Sequence, residues 1–127
     1  KQLSKSTMWG ELDYLLIDMP PGTGDAYLTI FKEMSIDGFI LISTPSLLSI
    51  ADVKKTISLV NKFKLPILGY IENNIFESKT NIKDDTFIEK KINKLGTFNF
   101  SNHMMNFNPE YINEQADNIS KSIIENV

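Results

Sequence analysis

The run Leu15-Leu16-Ile17-Asp18-Met19-Pro20-Pro21-Gly22-Thr23-Gly24-Asp25 constrains this chain more than any other feature. Tyr14–Ile17 reads as a strand buried on both faces and ending in an acid, Asp18. Pro20 and Pro21 then limit backbone freedom, whereas Gly22 and Gly24 let main-chain N–H groups approach an anion without interference from Cβ. Ligands gather at the carboxyl ends of strands in parallel sheets. Asp18 is therefore expected to hold Mg²⁺, with Thr23 donating a hydroxyl and the bend facing a terminal phosphate. Spacing alone leaves a second reading open, because Pro, Gly and Asp also build purely structural turns. No loop in the chain ends in the Gly-Lys-Ser/Thr needed to grip the other phosphates. Half a nucleotide site is visible, and the other half is expected to be cut away, lost or supplied by another chain.

Two further apolar runs, Phe39–Ile42 and Ile67–Ile71, repeat the buried-strand pattern. The segments between the runs suit crossover helices, so the expected fold class is α/β, a mostly parallel sheet with flanking helices. Ile50, Val53, Ile57 and Val60 recur at helical spacing and predict a helix over Ile50–Phe63, capped by Ser49 with Asp52 three residues on. A less regular helix is expected over Ala26–Met34, capped by Asp25. Residues 73–83 read as an exposed loop, and a helix is expected from Thr86 to Leu95 with Gly96 as its stop. A short strand over Thr97–Phe100 follows. Asn108 as N-cap and Pro109 at the first position open a last helix with Ile112, Ala116, Ile119 and Ile123 inward. With no internal repeat and no linker, residues 1–127 are expected to form one domain or part of one.

Composition removes several function classes. The 127 residues carry a formal net charge of -3, which argues against a nucleic-acid partner. Every basic residue except His103 is a lysine, so the chain supplies no arginine finger and no bidentate guanidinium clamp. Zero cysteines exclude disulfides and a thiolate-bound zinc or iron–sulfur site built from this chain alone. No apolar stretch reaches membrane-spanning length and Lys1–Lys5 has no signal-peptide core, which fits a cytoplasmic protein without membrane attachment.

Three motifs, in order, resemble one family. Trp9–Tyr14 followed by Leu15–Asp25 looks like the second nucleotide-binding segment of the Mrp/ApbC branch of the MinD/ParA-like P-loop ATPases. Ser43-Thr44-Pro45 resembles the family's next loop, and Gly69-Tyr70-Ile71-Glu72-Asn73 resembles its Gly-Ile-Val-Glu-Asn stretch. The resemblance implies a partial Rossmann-like, three-layer P-loop NTPase domain. It further implies ATP and Mg²⁺ as cofactors, slow hydrolysis, a homodimer, and a role in carrying iron–sulfur clusters to apo-proteins. Under it, Asp18 corresponds to the acidic residue near Mg²⁺, Gly22 lies in the phosphate-sensing switch, and Asn73 matches the position associated with adenine. The sequence departs from the family twice. The phosphate-loop portion is absent, and the region where a Cys-x-x-Cys pair holds a bridging cluster reads Asn74-Ile75-Phe76-Glu77-Ser78-Lys79-Thr80-Asn81, with no soft ligand for iron.

The remaining candidates are weaker. His103 has no local carboxylate to orient it and reads as a loop histidine. Met104, Met105 and Phe107 suit either a small apolar surface or core filling. Asp84, Asp85 and Glu89 favour a helix start, and Lys90, Lys91 and Lys94 a solvated face. Ser43, Thr44 and Ser46 offer hydroxyls without a base. Three functional expectations follow: a fragment or degenerate member of the cluster-carrier ATPases, inactive by itself; a non-catalytic dimerisation or scaffold domain derived from that fold; or a MinD/ParA-type positioning ATPase.

Overall fold

A backbone segment becomes a strand only when a neighbour takes its N–H and C=O groups. The computed structural model describes residues 7–20, 24–75, 86–101 and 106–125, and among these three segments meet that condition. They are β1 (Phe39–Ser43), β2 (Ile67–Ile75) and β3 (Lys94–Asn99), paired in parallel in the order β1-β2-β3. The helices are α1 (Asp25–Glu33), α2 (Leu47–Lys62), the single turn α3 (Thr86–Glu89) and α4 (Pro109–Ile124). The chain divides into two compact units, Lys1–Ile36 and Asp37–Val127.

The second unit is an α/β layer structure, as its apolar periodicity dictates. α2 turns Ile50, Val53, Ile57 and Val60 inward. Val53 and Ile57 join Leu41 and Phe87 on one sheet face, with Ile67, Tyr70 and Ile92 around them. Ile71, Leu95 and Ile119 form the core of the opposite face, flanked by Ile40, Phe98 and Ile123. The sheet is thus the middle layer, with α2 on one side and α4 on the other. Ile57 and Val60 are almost wholly buried, and such burial stabilises by about 1.5–3 kcal/mol per side chain.

Chain reversals at two helix ends use lysine where glycine is commoner. Lys64 and Lys91 adopt positive φ, 55° and 54°. At each, the following amide reaches back five residues, Leu65 N–H to Val60 O at 3.2 Å and Ile92 N–H to Phe87 O at 2.9 Å. Both are Schellman-type closures that satisfy late helix carbonyls and turn the chain towards the sheet.

Several expectations are corrected here. Tyr14–Ile17 is not a strand: residues 14–20 carry neither strand nor helix, and Leu16 is 81% exposed. An apolar run cannot become a buried strand without a ladder partner, and none of the described residues pairs with it. The expected helix from Thr86 to Leu95 stops at Glu89, because Lys91 reverses the chain and Asn93 O accepts the Tyr70 N–H at 2.9 Å. Leu95 and Gly96 consequently belong to β3, and Gly96 is not a helix stop. β2 runs on to Ile75, so Asn73 lies in a strand rather than a loop; residues 76–83 lie outside the described set.

Helix starts also differ. α2 begins at Leu47 and is capped by Ser46, whose side chain accepts the Ser49 N–H. α1 begins at Asp25 with Gly24 as N-cap, so Asp25 is the first helical residue and not the cap. The last helix matches the reading: Asn108 caps it by accepting the Tyr111 N–H, and Pro109 opens it.

Candidate functional site

The first unit holds Asp18 beside a concave, mainly apolar surface of about 490 Å³. Trp9, Leu15 and Ile17 contribute from the segment before the bend, Ile30 from α1, and Met34 from just beyond its end. α1 takes its position from its own periodicity. Tyr27 is its buried residue and meets Phe31 edge-on with ring centroids 5.9 Å apart. Burial, and after it the negative charge of Asp18, pushes the Tyr27 hydroxyl above its ordinary pKa. The Asp18 carboxylate is therefore close enough to α1 to act on its buried tyrosine.

The start of α1 has the open character the glycines imply. Gly24 as N-cap brings no side-chain acceptor, and one turn further in the Thr29 hydroxyl donates back to Asp25 O at 2.9 Å. Gly24 itself is exposed, and a Cβ added there would meet nothing within 4 Å. Gly22 and Thr23 lie outside the described residues. Among the described residues no group of three or more His, Cys, Asp or Glu is gathered to hold a metal. A lone carboxylate fits Mg²⁺ only when phosphate oxygens and water supply the other ligands.

The second unit carries Asn73 near the carboxyl end of β2, half-buried and paired in register with Phe98. Glu72, one residue earlier, lies between Ser43 of β1 and Thr97 of β3 and makes an ion pair with Lys94. Lys94 is thus a strand residue with a partner, not part of a helix face. Tyr70 stacks on Phe87, rings 4° from parallel and 3.8 Å apart. Burial raises the Tyr70 pKa most, Glu72 raises it further, and Lys94 opposes them.

The loop after β1 spends its hydroxyls on its own architecture. Ser43 is buried and donates to Thr44 O at 3.2 Å, with Ser49 Oγ 3.3 Å away. Ser49 Oγ accepts the Thr44 N–H at 3.0 Å, and Ser46 accepts the Ser49 N–H at 3.1 Å. These bonds lock the turn from strand to helix and leave no hydroxyl arranged as a nucleophile. Asp84, Asp85, His103, Met104 and Met105 lie outside the described residues. Phe107 is exposed with φ of 50°, and Glu89 is exposed at the end of α3.

Two groups escaped the sequence reading. Ser49 is not the cap that its spacing to Asp52 predicts; its hydroxyl ties the loop together. Gln115 carried no signal except its place four residues after Tyr111 on α4; its Oε1 accepts the Asn99 N–H at 2.8 Å.

In the second unit a parallel sheet lies between helices, the layering of the doubly wound α/β proteins. A family model described as ParA, NUBPL iron-transfer P-loop NTPase, matches residues 1–121, and the chain belongs to that family. It is 50% identical over 80 residues to an iron-sulfur cluster carrier protein of Rickettsia conorii, covering 63% of this chain and 25% of that protein. It is 51% identical over 74 residues to an iron-sulfur cluster carrier protein of Methanocaldococcus jannaschii, covering 58% and 26%. A third relative, a cytosolic Fe-S cluster assembly factor NUBP2 homolog of Dictyostelium discoideum, is 50% identical over 76 residues, covering 58% and 29%. The chain spans about a quarter of the length of these relatives. No helix among the described residues is long and apolar enough to cross a membrane.

Proposed function

We propose that this chain supplies the switch side and the base side of a nucleotide site in an iron–sulfur cluster carrier ATPase. Asp18 would hold Mg²⁺ or its water, Gly22 to Gly24 would meet the terminal phosphate, and Asn73 would face the adenine. The observation that carries the reading is Asp18 lining a concavity next to the uncapped start of α1, within a chain whose family match runs from residue 1 to 121. Bound Mg²⁺ would neutralise charge on the phosphates. The chain's own share is positioning: amides at the helix start directed at an anion, and a carboxylate fixed beside them. Without a phosphate-loop lysine the chain alone binds ATP weakly and turns it over negligibly. Without cysteine it contributes no thiolate to a cluster, so any iron–sulfur cargo would be held by other chains or segments.

The test is a fusion of the phosphate-loop portion of a family member to Lys1, followed by calorimetry with Mg-ATP. Affinity should rise from millimolar for the chain alone to micromolar for the fusion, and Asp18→Asn should weaken the fusion at least tenfold. Micromolar binding by the unfused chain, or an Asp18→Asn fusion that binds as before, would overturn the proposal.

One observation favours a second reading, a non-catalytic assembly domain. Ile42, on a strand with one described neighbour, and Leu47 and Leu48 in the first turn of α2 are all exposed. Apolar surface of that kind calls for cover. Light scattering separates the two: a concentration-independent monomer argues against obligate assembly.

A further inference from the structure

The carboxyl end of β3 is held from α4 as well as from the sheet. Asn99, the last residue of β3, gives its N–H to Gln115 Oε1 at 2.8 Å, and its C=O receives the Tyr111 hydroxyl in a longer contact of 3.5 Å. Tyr111, Gln115 and Ile119 are successive turns of one stripe on α4. Ile119 sits on Gly96, where an added Cβ would lie 2.5 Å from its Cγ1. The stripe therefore runs along β3 from Gly96 to Asn99. The helix rises about 12 Å over those eight residues and the strand about 10 Å over its three, so the two match in length.

Gln115 is chemically conspicuous in that stripe. Its Nε2 is buried and has no hydrogen-bond partner among the described residues. A methionine would fill similar space without an orphaned donor, so packing alone does not account for an amide. What the amide adds is the acceptor that takes the Asn99 N–H. That bond falls where the sheet is irregular: Asn73 pairs with Phe98, and the register shifts before Ile75 pairs with Asn99.

We infer that Gln115, assisted by Tyr111, is a positioning residue that fixes the end of β3 against β2 and so sets where Asn73 is presented. The inference rests on the proposed reading of Asn73 as a base-side residue. Gln115 does not itself touch the nucleotide.

Adenosine is the suitable probe, because it lacks phosphates and makes no demand on a phosphate loop. Its binding to the 127-residue chain is followed by the shift of the Asn73 side-chain amide in NMR, with guanosine as control, for the natural chain, Gln115→Met, Gln115→Glu and Tyr111→Phe. Gln115→Met should weaken the adenosine response about tenfold and speed hydrogen exchange at the Asn99 amide by a similar factor. Gln115→Glu retains an acceptor and should recover both. Tyr111→Phe, which removes the long contact and keeps the Gln115 acceptor, should lie between. If Asn99 exchange accelerates while adenosine acts on Asn73 as before, the clamp is only structural and the inference falls. If the natural chain shows no adenosine response at Asn73, the base-side reading fails first and the positioning role goes with it. Should Gln115→Met not fold, Tyr111→Phe and Gln115→Glu decide the matter by the same two readouts.

Discussion

Gly96 lies directly beneath Ile119: a Cβ on the glycine would come within 2.5 Å of Ile119 Cγ1 and 3.3 Å of its Cδ1. Ile119 is buried and Cγ1 is close to its backbone, so it cannot simply swing aside. Gly96→Ala should therefore separate α4 from β3 and destabilise the chain by about 1–3 kcal/mol, the usual cost of an overpacked core. Urea unfolding would register the loss as a lower midpoint at unchanged slope. A midpoint equal to that of the natural chain would show that α4 does not press on this strand.

The turn between β1 and α2 separates two serines that look alike in sequence. Ser46 caps the helix, and Ser46→Ala should cost about 1 kcal/mol through loss of the acceptor for the Ser49 N–H. Ser49→Ala removes a different acceptor, that of the Thr44 N–H, and also the neighbour of buried Ser43. Its cost of about 1–3 kcal/mol is that of stranding a partly buried amide. Unfolding of both single variants and the double variant checks this. Ser49→Ala keeps the Ser49 N–H that Ser46 accepts, but both hydroxyls also bond to Thr44, so the two losses should not add.

That turn illustrates what was legible. The period of Ile50, Val53, Ile57 and Val60 identified α2 correctly, since burial follows periodicity. The cap lies one turn before the one the pattern favours: Ser49-x-x-Asp52 approximates a capping box and Ser46-x-x-Ser49 does not, so only the hydrogen bond from the Ser49 N–H identifies Ser46. Gly96 differs from its expected role for a related reason: the same residue suits a helix stop and a strand pressed against a side chain. At the candidate site, the acid and glycines of the bend were legible as residue types. Gln115 was not, because a glutamine on an amphipathic helix reads as solvated surface until its partner is known.

Tyr27 connects Asp18 to a measurable titration. Its pKa is raised first by burial and then by Asp18. Asp18→Asn should lower it while leaving it above the ordinary value of about 10, since the burial remains. A folded pKa raised above the unfolded one makes a contribution to stability fully present below about pH 10 and lost as pH rises through the folded value. Natural protein should thus lose stability above pH 10, and Tyr27→Phe should reduce that loss. Site-resolved tyrosine NMR supplies the pKa, and an unchanged value in Asp18→Asn would place the carboxylate too far from α1 for the proposed site.

Tyr70 offers a signed comparison across the sheet. Glu72 raises its pKa and Lys94 lowers it, beneath a larger effect of burial. Glu72→Gln should therefore lower the Tyr70 pKa and Lys94→Met should raise it. The ion pair between these residues is partly exposed, with side chains 34% and 43% accessible, so either variant should cost at most about 1 kcal/mol. Shifts of the same sign in both variants would contradict the arrangement of Glu72 and Lys94 around Tyr70.

Leu16 separates what the apolar run encodes from what this chain does with it. Four consecutive apolar residues, Tyr14–Ile17, carry the pattern of a strand buried on both faces, and a charge in such a strand would be severely destabilising. In the structure Leu16 is 81% exposed and residues 14–17 have no ladder partner among the described residues. A substitution at so open a position acts on little packing. Leu16→Glu should change the stability of this chain by no more than about 0.5 kcal/mol, the range of ordinary surface substitutions. In the phosphate-loop fusion, where the run gains a potential strand neighbour, the same substitution should cost about 3 kcal/mol or more and abolish Mg-ATP binding. Urea unfolding of four proteins, the chain and the fusion each with Leu or Glu at position 16, makes the comparison. A large loss in the unfused chain would mean that the run is already buried there; no loss in the fusion would mean that added segments do not complete the sheet.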